Sequence, residues 1–171
     1  MTAAVGALSI GALADRFTDP AELALFVAWF AVLLVLLATD LDQHLLPDLI
    51  TLPLIPITFV VAMFGPDPLV HDLLGMVGAA GVAIGLPLGL FLLSIPFGPG
   101  AIALGDIKLL VGIGLLTGFV RTLVGVMAGT FAVGIVIAVL LLTRRVTLRS
   151  YIPFGPMLII GAMWGVLVRF E

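Results

Sequence analysis

The stretch "AELALFVAWFAVLLVLLATDLD", residues 21–42, decides the fold class of this chain. No charged residue lies between Glu22 and Asp40. The run is therefore long enough to cross the hydrocarbon layer of a bilayer as a helix, for which about 20 apolar residues suffice. The rest of the chain is similar, with 63% hydrophobic residues, 10% charged residues and a mean hydropathy of +1.38. This composition predicts an integral membrane protein and excludes the soluble globular classes.

Apolar blocks separated by short polar clusters predict seven spans. They lie at about residues 2–15, 21–39, 49–64, 73–95, 105–119, 122–142 and 152–169. Backbone amides in lipid need partners within their own segment, and the blocks lack the alternation of a β-barrel, so we expect helices. The predicted fold is an all-α, polytopic membrane bundle of six or seven transmembrane helices. It forms one domain, residues 1–171, in which 1–20 is a short extra N-terminal helix and 21–171 the main bundle.

The loop "TRRVTLRS", residues 143–150, has the densest positive charge and predicts a cytoplasmic location for itself. Alternation of the spans then puts residues 40–48 and 96–105 on the cytoplasmic side as well. Other arginines fall on the opposite side and reduce this bias: Arg16, Arg121 and Arg169.

Glycines recur at helical spacing in three places, which predicts close packing between helices because small residues let transmembrane backbones approach. One set would line a single helix face, and a pore or substrate groove is the alternative interpretation there. The sets are Gly75, Gly78, Gly81, Gly85 and Gly89, then Gly125 with Gly129, then Gly161 with Gly165.

Two carboxylates, Asp40 and Asp106, stand at the predicted ends of spans on the same side of the membrane. A carboxylate inside a span costs about 2.5–3.5 kcal/mol at the helix centre, so its presence favours a functional role. Helix capping is the structural alternative: Asp48 would cap the span that follows Pro47, and Asp106 the helix that begins at Ile107.

The pair of motifs "TDLDQHLLPDLITLP", residues 39–53, and "LGDIKLLVGIGLLTG", residues 104–118, closely resembles the two signatures of the type IV prepilin peptidases. These are GxGD-type membrane aspartyl proteases. The resemblance implies that Asp40, seven residues before Pro47, and Asp106 are the catalytic aspartates. The segment "YIPFGPMLIIGA", residues 151–162, resembles the "PFGP" helix of the family, and the resemblance covers about residue 21 to the end.

The chain departs from the family pattern in two ways. Ala103 replaces the first glycine of GxGD, whereas Gly105 is retained. The chain has no cysteine, so it lacks the cytoplasmic insert with paired CxxC motifs that many members carry. The resemblance is therefore to the short, peptidase-only form, and N-methyltransferase activity is not predicted.

If Asp40 and Asp106 meet, repulsion between like charges would leave one protonated and one ionised near neutral pH. Such a dyad needs no cofactor, metal or nucleotide. The resemblance implies a prepilin or pseudopilin substrate with a basic leader and a hydrophobic helix, cut at the cytoplasmic boundary of the inner membrane. The predicted partners are that substrate and the lipid bilayer, with no nucleic acid.

Four neighbouring residues are candidates for substrate binding. Asp42 and Asp48 would create negative potential where a basic leader enters, or would be solvated loop charges. Gly105 would let a substrate backbone approach Asp106. Lys108 would tune a nearby carboxylate, or would only anchor the helix by reaching the interface.

Two other classes of protein fit the same carboxylates. A small proton- or cation-coupled transporter would use Asp40 and Asp106 as ion sites, although such groups more naturally lie near the midplane. A purely structural membrane subunit would tolerate asparagine at both positions. A metal site formed by His44 with Asp40 is disfavoured because two such groups do not complete a coordination shell.

Overall fold

The computed structural model describes residues 2–43, 46–70, 73–95, 104–143 and 155–169. Six helices make up this part of the chain: α1 Thr2–Arg16, α2 Pro20–Gln43, α3 Asp48–Phe64, α4 Leu73–Ser94, α5 Leu104–Leu142 and α6 Gly155–Leu167. Three of them have stretches long and apolar enough to cross a membrane: Pro20–Gln43, Leu74–Leu92 and Leu104–Val136. The protein is thus an all-α membrane helix bundle, as the sequence predicted.

The long helix α5 reverses direction at Gly118, whose backbone has φ 75° and ψ 179°. Asp106 lies beside Gly155, and Gly129 lies against the carbonyl oxygen of Met157, so both lie near the start of α6. A continuous helix would separate positions 106 and 129 by about 35 Å, at 1.5 Å per residue. α5 is therefore a hairpin with a first arm at 104–117 and a second arm at 119–142. The predicted spans at 105–119 and 122–142 are separate, but one glycine replaces the expected loop.

Buried hydroxyl groups hold the two arms together at the reversal. The Thr117 and Thr122 hydroxyl oxygens are 2.8 Å apart, and Thr122 Oγ1 donates to the carbonyl oxygen of Gly118 at 2.7 Å. Thr117 Oγ1 also lies 2.9 Å from the carbonyl oxygen of Ile113. In an apolar surrounding these bonds satisfy polar groups that water cannot reach.

The short helix α6 lies at the centre of the bundle and is buried on nearly all sides. It runs antiparallel to the second arm of α5, and their backbones touch through the predicted glycine pairs. A methyl group on Gly125 would lie 2.5 Å from the carbonyl oxygen of Gly161, and one on Gly165 would lie 2.6 Å from that of Arg121. The predicted GxxxG packing is confirmed here, because only glycine permits this approach.

The glycine face of α4 behaves differently from the prediction. A methyl group on Gly78 would lie 3.4 Å from Phe119 Cβ, but methyl groups on Gly81, Gly85 and Gly89 would meet no atom of the described residues within 4 Å. α4 instead packs on α5 through Ala83, which lies 2.9 Å from the position of a Gly114 methyl group. Sequence spacing identified a small-residue face, but it could not show which face the neighbouring helix covers.

Candidate active site

Helix α2 carries Asp40 into the interior of the bundle. The buried residues of this helix recur three or four positions apart, which places them on one face. Asp40 ends that face and is 5% exposed. Asp42 is about 200° further around the helix and is exposed. The helix continues to Gln43, beyond the predicted end at residue 39. The buried residues are Phe26, Trp29, Phe30, Leu33, Leu36 and Asp40.

Helix α5 places Asp106 in its first turn, where the side chain is 6% exposed. Leu109, Leu110 and Ile113 follow three, four and seven residues later and are also buried. Asp106 therefore lies on the inward face of the first arm, in line with core leucines. Since α5 begins at Leu104, Asp106 is not the N-cap residue, and the capping alternative is wrong for it.

The first residue of α6, Gly155, lies against both carboxylates. A methyl group on its Cα would lie 2.6 Å from Asp40 Oδ2 and 3.2 Å from Asp106 Oδ1. The two oxygens are therefore no farther apart than the sum of these distances, and the carboxylates interact electrostatically. The structure thus brings together the two aspartates that the sequence paired, although 66 positions separate them along the chain.

Two further contacts join the same pair of motifs. A methyl group on Gly105 would lie 3.0 Å from Leu46 Cβ, and Lys108 Nζ forms an ion pair with Asp48 Oδ1 at 2.7 Å. The prediction that Asp48 caps α3 is wrong by one position. Pro47 is the N-cap residue, without a side-chain cap bond, and Asp48 is the first helical residue. Its carboxylate is bound by Lys108 from the neighbouring helix instead.

Comparisons with known proteins identify the family of the chain. The family model described as the type IV leader peptidase family matches residues 25–142, which include both aspartates. The chain belongs to the type IV leader peptidase family. Two curated relatives from Burkholderia pseudomallei, strains 1026b and K96243, are described as prepilin leader peptidase/N-methyltransferase and are each 33% identical over 162 residues. The match covers 92% of this chain, which spans about half the length of these relatives. No solved structure matches the chain.

For the other residues predicted for the site, the structure gives contacts or exposure but shows no substrate binding. Leu46 fills the space beside Gly105, which gives that glycine a packing role; approach of a substrate there stays a prediction. Lys108 Nζ is bound by the Asp48 carboxylate, and both of its predicted roles stay predictions. Asp42 is exposed on the last turn of α2, away from the buried pair. Substrate binding by these four residues stays a prediction.

The part of the chain that the structure describes contains no group of three or more histidine, aspartate or glutamate residues that could hold a metal ion. Several features used in the sequence argument lie outside the described residues. These are His44, the segments at 96–103 and 151–154, and the arginine loop from residue 144 to 150.

Sequence reasoning about the candidate site missed Gly155. Its segment was noted only as a family motif, and the family model ends before it, at residue 142. The available signal was a glycine at the start of a predicted span, which is also common where a helix merely begins. Only the fold shows that this glycine adjoins both carboxylates.

Proposed function

We propose that this chain is a membrane aspartyl endopeptidase that cleaves the basic leader from type IV prepilins or pseudopilins at the cytoplasmic boundary of the inner membrane. The observation that carries the proposal is the meeting of Asp40 and Asp106 at one point beside Gly155. Family membership supports it, and so do the names of the B. pseudomallei relatives. The proposed catalytic bundle is residues 21–171, with 1–20 as an additional helix.

The paired carboxylates divide the work of peptide hydrolysis between an acid and a base. Two carboxylates this close share a proton, because both cannot readily ionise side by side. The ionised one takes a proton from a water molecule as that water attacks the scissile carbonyl carbon. The protonated one hydrogen-bonds the carbonyl oxygen and then donates its proton to the departing amine. The pair titrates as one coupled unit, so either aspartate can start as the base.

Burial of the pair makes this chemistry effective. Asp40 and Asp106 are 5% and 6% exposed, so little water competes for their hydrogen bonds. Electrostatic interactions are stronger in such an interior than in bulk solvent. The prepilin would present its leader peptide bond at this end of the bundle, with its hydrophobic helix remaining in the lipid.

Negative charge near the site suits a basic leader. Asp42 is exposed on the last turn of α2, close to Asp40 in sequence, and would attract lysine and arginine side chains of the leader. Asp48 is 61% exposed but is already neutralised by Lys108. Asp42 is therefore the stronger candidate for steering the leader.

The test is to reconstitute the protein in liposomes with a prepilin that carries its intact leader. Asp40→Asn and Asp106→Asn should each reduce processing by about 100-fold or more, which is the contribution of a positioned acid or base. The matched control is Asp15→Asn, because Asp15 is an exposed carboxylate whose side chain is 86% accessible and pairs with Arg169. This control should process prepilin at the normal rate. Full processing by Asp40→Asn or by Asp106→Asn would show that the two aspartates are not a catalytic pair.

The same liposomes separate the peptidase from the transporter. A transporter would move protons or cations across the membrane without prepilin, and Asp40→Asn or Asp106→Asn would abolish that flux. The peptidase proposal predicts no carboxylate-dependent flux. The location of both carboxylates at one end of the bundle, where α5 and α6 begin, favours the peptidase, since ion sites lie near the midplane.

A further inference from the structure

Gly155 is the point at which three separate parts of the chain meet. A methyl group on its Cα would lie 2.6 Å from Asp40 Oδ2, 3.0 Å from Asp40 Cγ and 3.2 Å from Asp106 Oδ1. Carbon atoms do not approach other heavy atoms this closely without displacement, because the optimal separation is about 3.5–4.0 Å. Any side chain at position 155 would therefore push on the pair of carboxylates, and first on Asp40.

The helix that carries Gly155 is not free to move away. Its backbone lies directly on the second arm of α5, where Gly161 packs against the carbonyl group of Gly125. At its other end, Arg121 Nη1 donates to the carbonyl oxygens of Gly165 at 3.1 Å and Val168 at 2.7 Å. Contacts between backbones cannot yield by rotation of a side chain. A clash at the first residue of α6 must therefore be absorbed by the carboxylates.

We infer that Gly155 is a positioning residue that sets the separation and orientation of Asp40 and Asp106. The inference rests on the proposed function, since it gives the geometry of the dyad a cause. Sharing a proton and a water molecule requires hydrogen-bond distances of about 2.6–3.2 Å, and a misplacement of about 1 Å costs roughly 100-fold in rate. The bare Cα of Gly155 lets both carboxylates reach their shared position.

The direct test is Gly155→Ala in the liposome assay. We expect kcat to fall about 100-fold. KM should stay unchanged, because the added methyl group acts on the carboxylates that perform the chemistry. Two other glycine-to-alanine variants serve as controls. Gly81→Ala adds a methyl group at an exposed helical position where it meets no described atom within 4 Å, so it should leave kcat unchanged and raise Tm by about 1–4 °C. Gly161→Ala strikes the backbone of Gly125 instead of the carboxylates and should lower Tm.

A second measurement examines the contact without using activity. Asp40→Ala removes both atoms nearest to the added methyl group. Gly155→Ala should therefore lower Tm by about 2–4 °C in the otherwise unaltered protein. It should not lower Tm in the Asp40→Ala background. Equal losses in both backgrounds, including failure to fold in both, would mean that the clash lies elsewhere and would overturn the inference.

The outcomes also separate this inference from the proposed function. If Asp40→Asn and Asp106→Asn process prepilin fully, the proposed peptidase site is wrong whatever Gly155→Ala does. If those two variants are inactive and Gly155→Ala has the normal kcat, only the positioning role is wrong. A raised KM with the normal kcat would assign Gly155 to substrate binding and would likewise overturn the inference.

Discussion

Replacing Gly118 by alanine should destabilise the protein, whereas the same change at Gly134, in the same helix α5, should stabilise it. Gly118 has φ 75° and ψ 179°, a backbone conformation that is essentially confined to glycine and costs other residues about 1–3 kcal/mol. Gly134 is helical and exposed, and an added methyl group there meets no atom within 4 Å. Alanine in an ordinary helical position gains about 0.5–1 kcal/mol over glycine.

Thermal unfolding in detergent, followed by the helical circular dichroism signal, measures both effects. At about 2–4 °C per kcal/mol for a chain of this size, Gly118→Ala should lower Tm by about 2–12 °C, and Gly134→Ala should raise it by about 1–4 °C. The opposite signs are the decisive feature, because the two changes are chemically identical. An equal rise of Tm in both variants would mean that α5 continues as a helix through Gly118, and the hairpin would be refuted.

Three further predictions concern charged side chains. A double-mutant cycle of unfolding with Lys108→Met and Asp48→Asn should give a coupling free energy of about 0.5–1 kcal/mol, since the ion pair is partly exposed. A coupling free energy of zero would contradict the ion pair. Arg121→Met should lower the free energy of unfolding by about 3 kcal/mol through the loss of two charged hydrogen bonds, to the carbonyl oxygens of Gly165 and Val168. The exposed Arg169→Met should lower it by about 1 kcal/mol at most. Asp42→Asn should raise KM for a basic-leader prepilin at low salt and leave it unchanged at high salt, as measured at two ionic strengths; an increase that persists at high salt would exclude steering.

The positions of the helices could be predicted from the sequence because lipid imposes a simple rule. Each backbone amide must find its partner within the span, so an apolar run of sufficient length is a helix. The predicted span at 49–64 and the observed helix Asp48–Phe64 differ by one residue, and 73–95 and Leu73–Ser94 agree as closely. The largest difference is at α2, where the helix continues past Asp40 because that carboxylate faces the interior and does not mark a loop.

The faces by which the helices pack, and the contacts between helices, could not be predicted from the apolar runs. Helices that are apolar all round have no polar side to show which face packs inward. The glycines of α4 illustrate this, since methyl groups on Gly81, Gly85 and Gly89 would meet no described atom within 4 Å, whereas Gly125 and Gly161 touch each other. The ion pair of Asp48 with Lys108 was likewise missed, because the two residues lie 60 positions apart and each had a local explanation.

The sequence by itself determined that this is a helical membrane protein, and its two motifs identified Asp40 and Asp106 as a pair. Both conclusions depend on local properties, namely hydropathy over a span and the spacing of residues within a motif. Only the tertiary structure decided how the pair is formed. The reversal at Gly118 brings both arms of α5 beside α6, and the backbone contacts of α6 hold Gly155 against the two carboxylates. Such an arrangement depends on distances between segments far apart in the chain, which no single segment encodes.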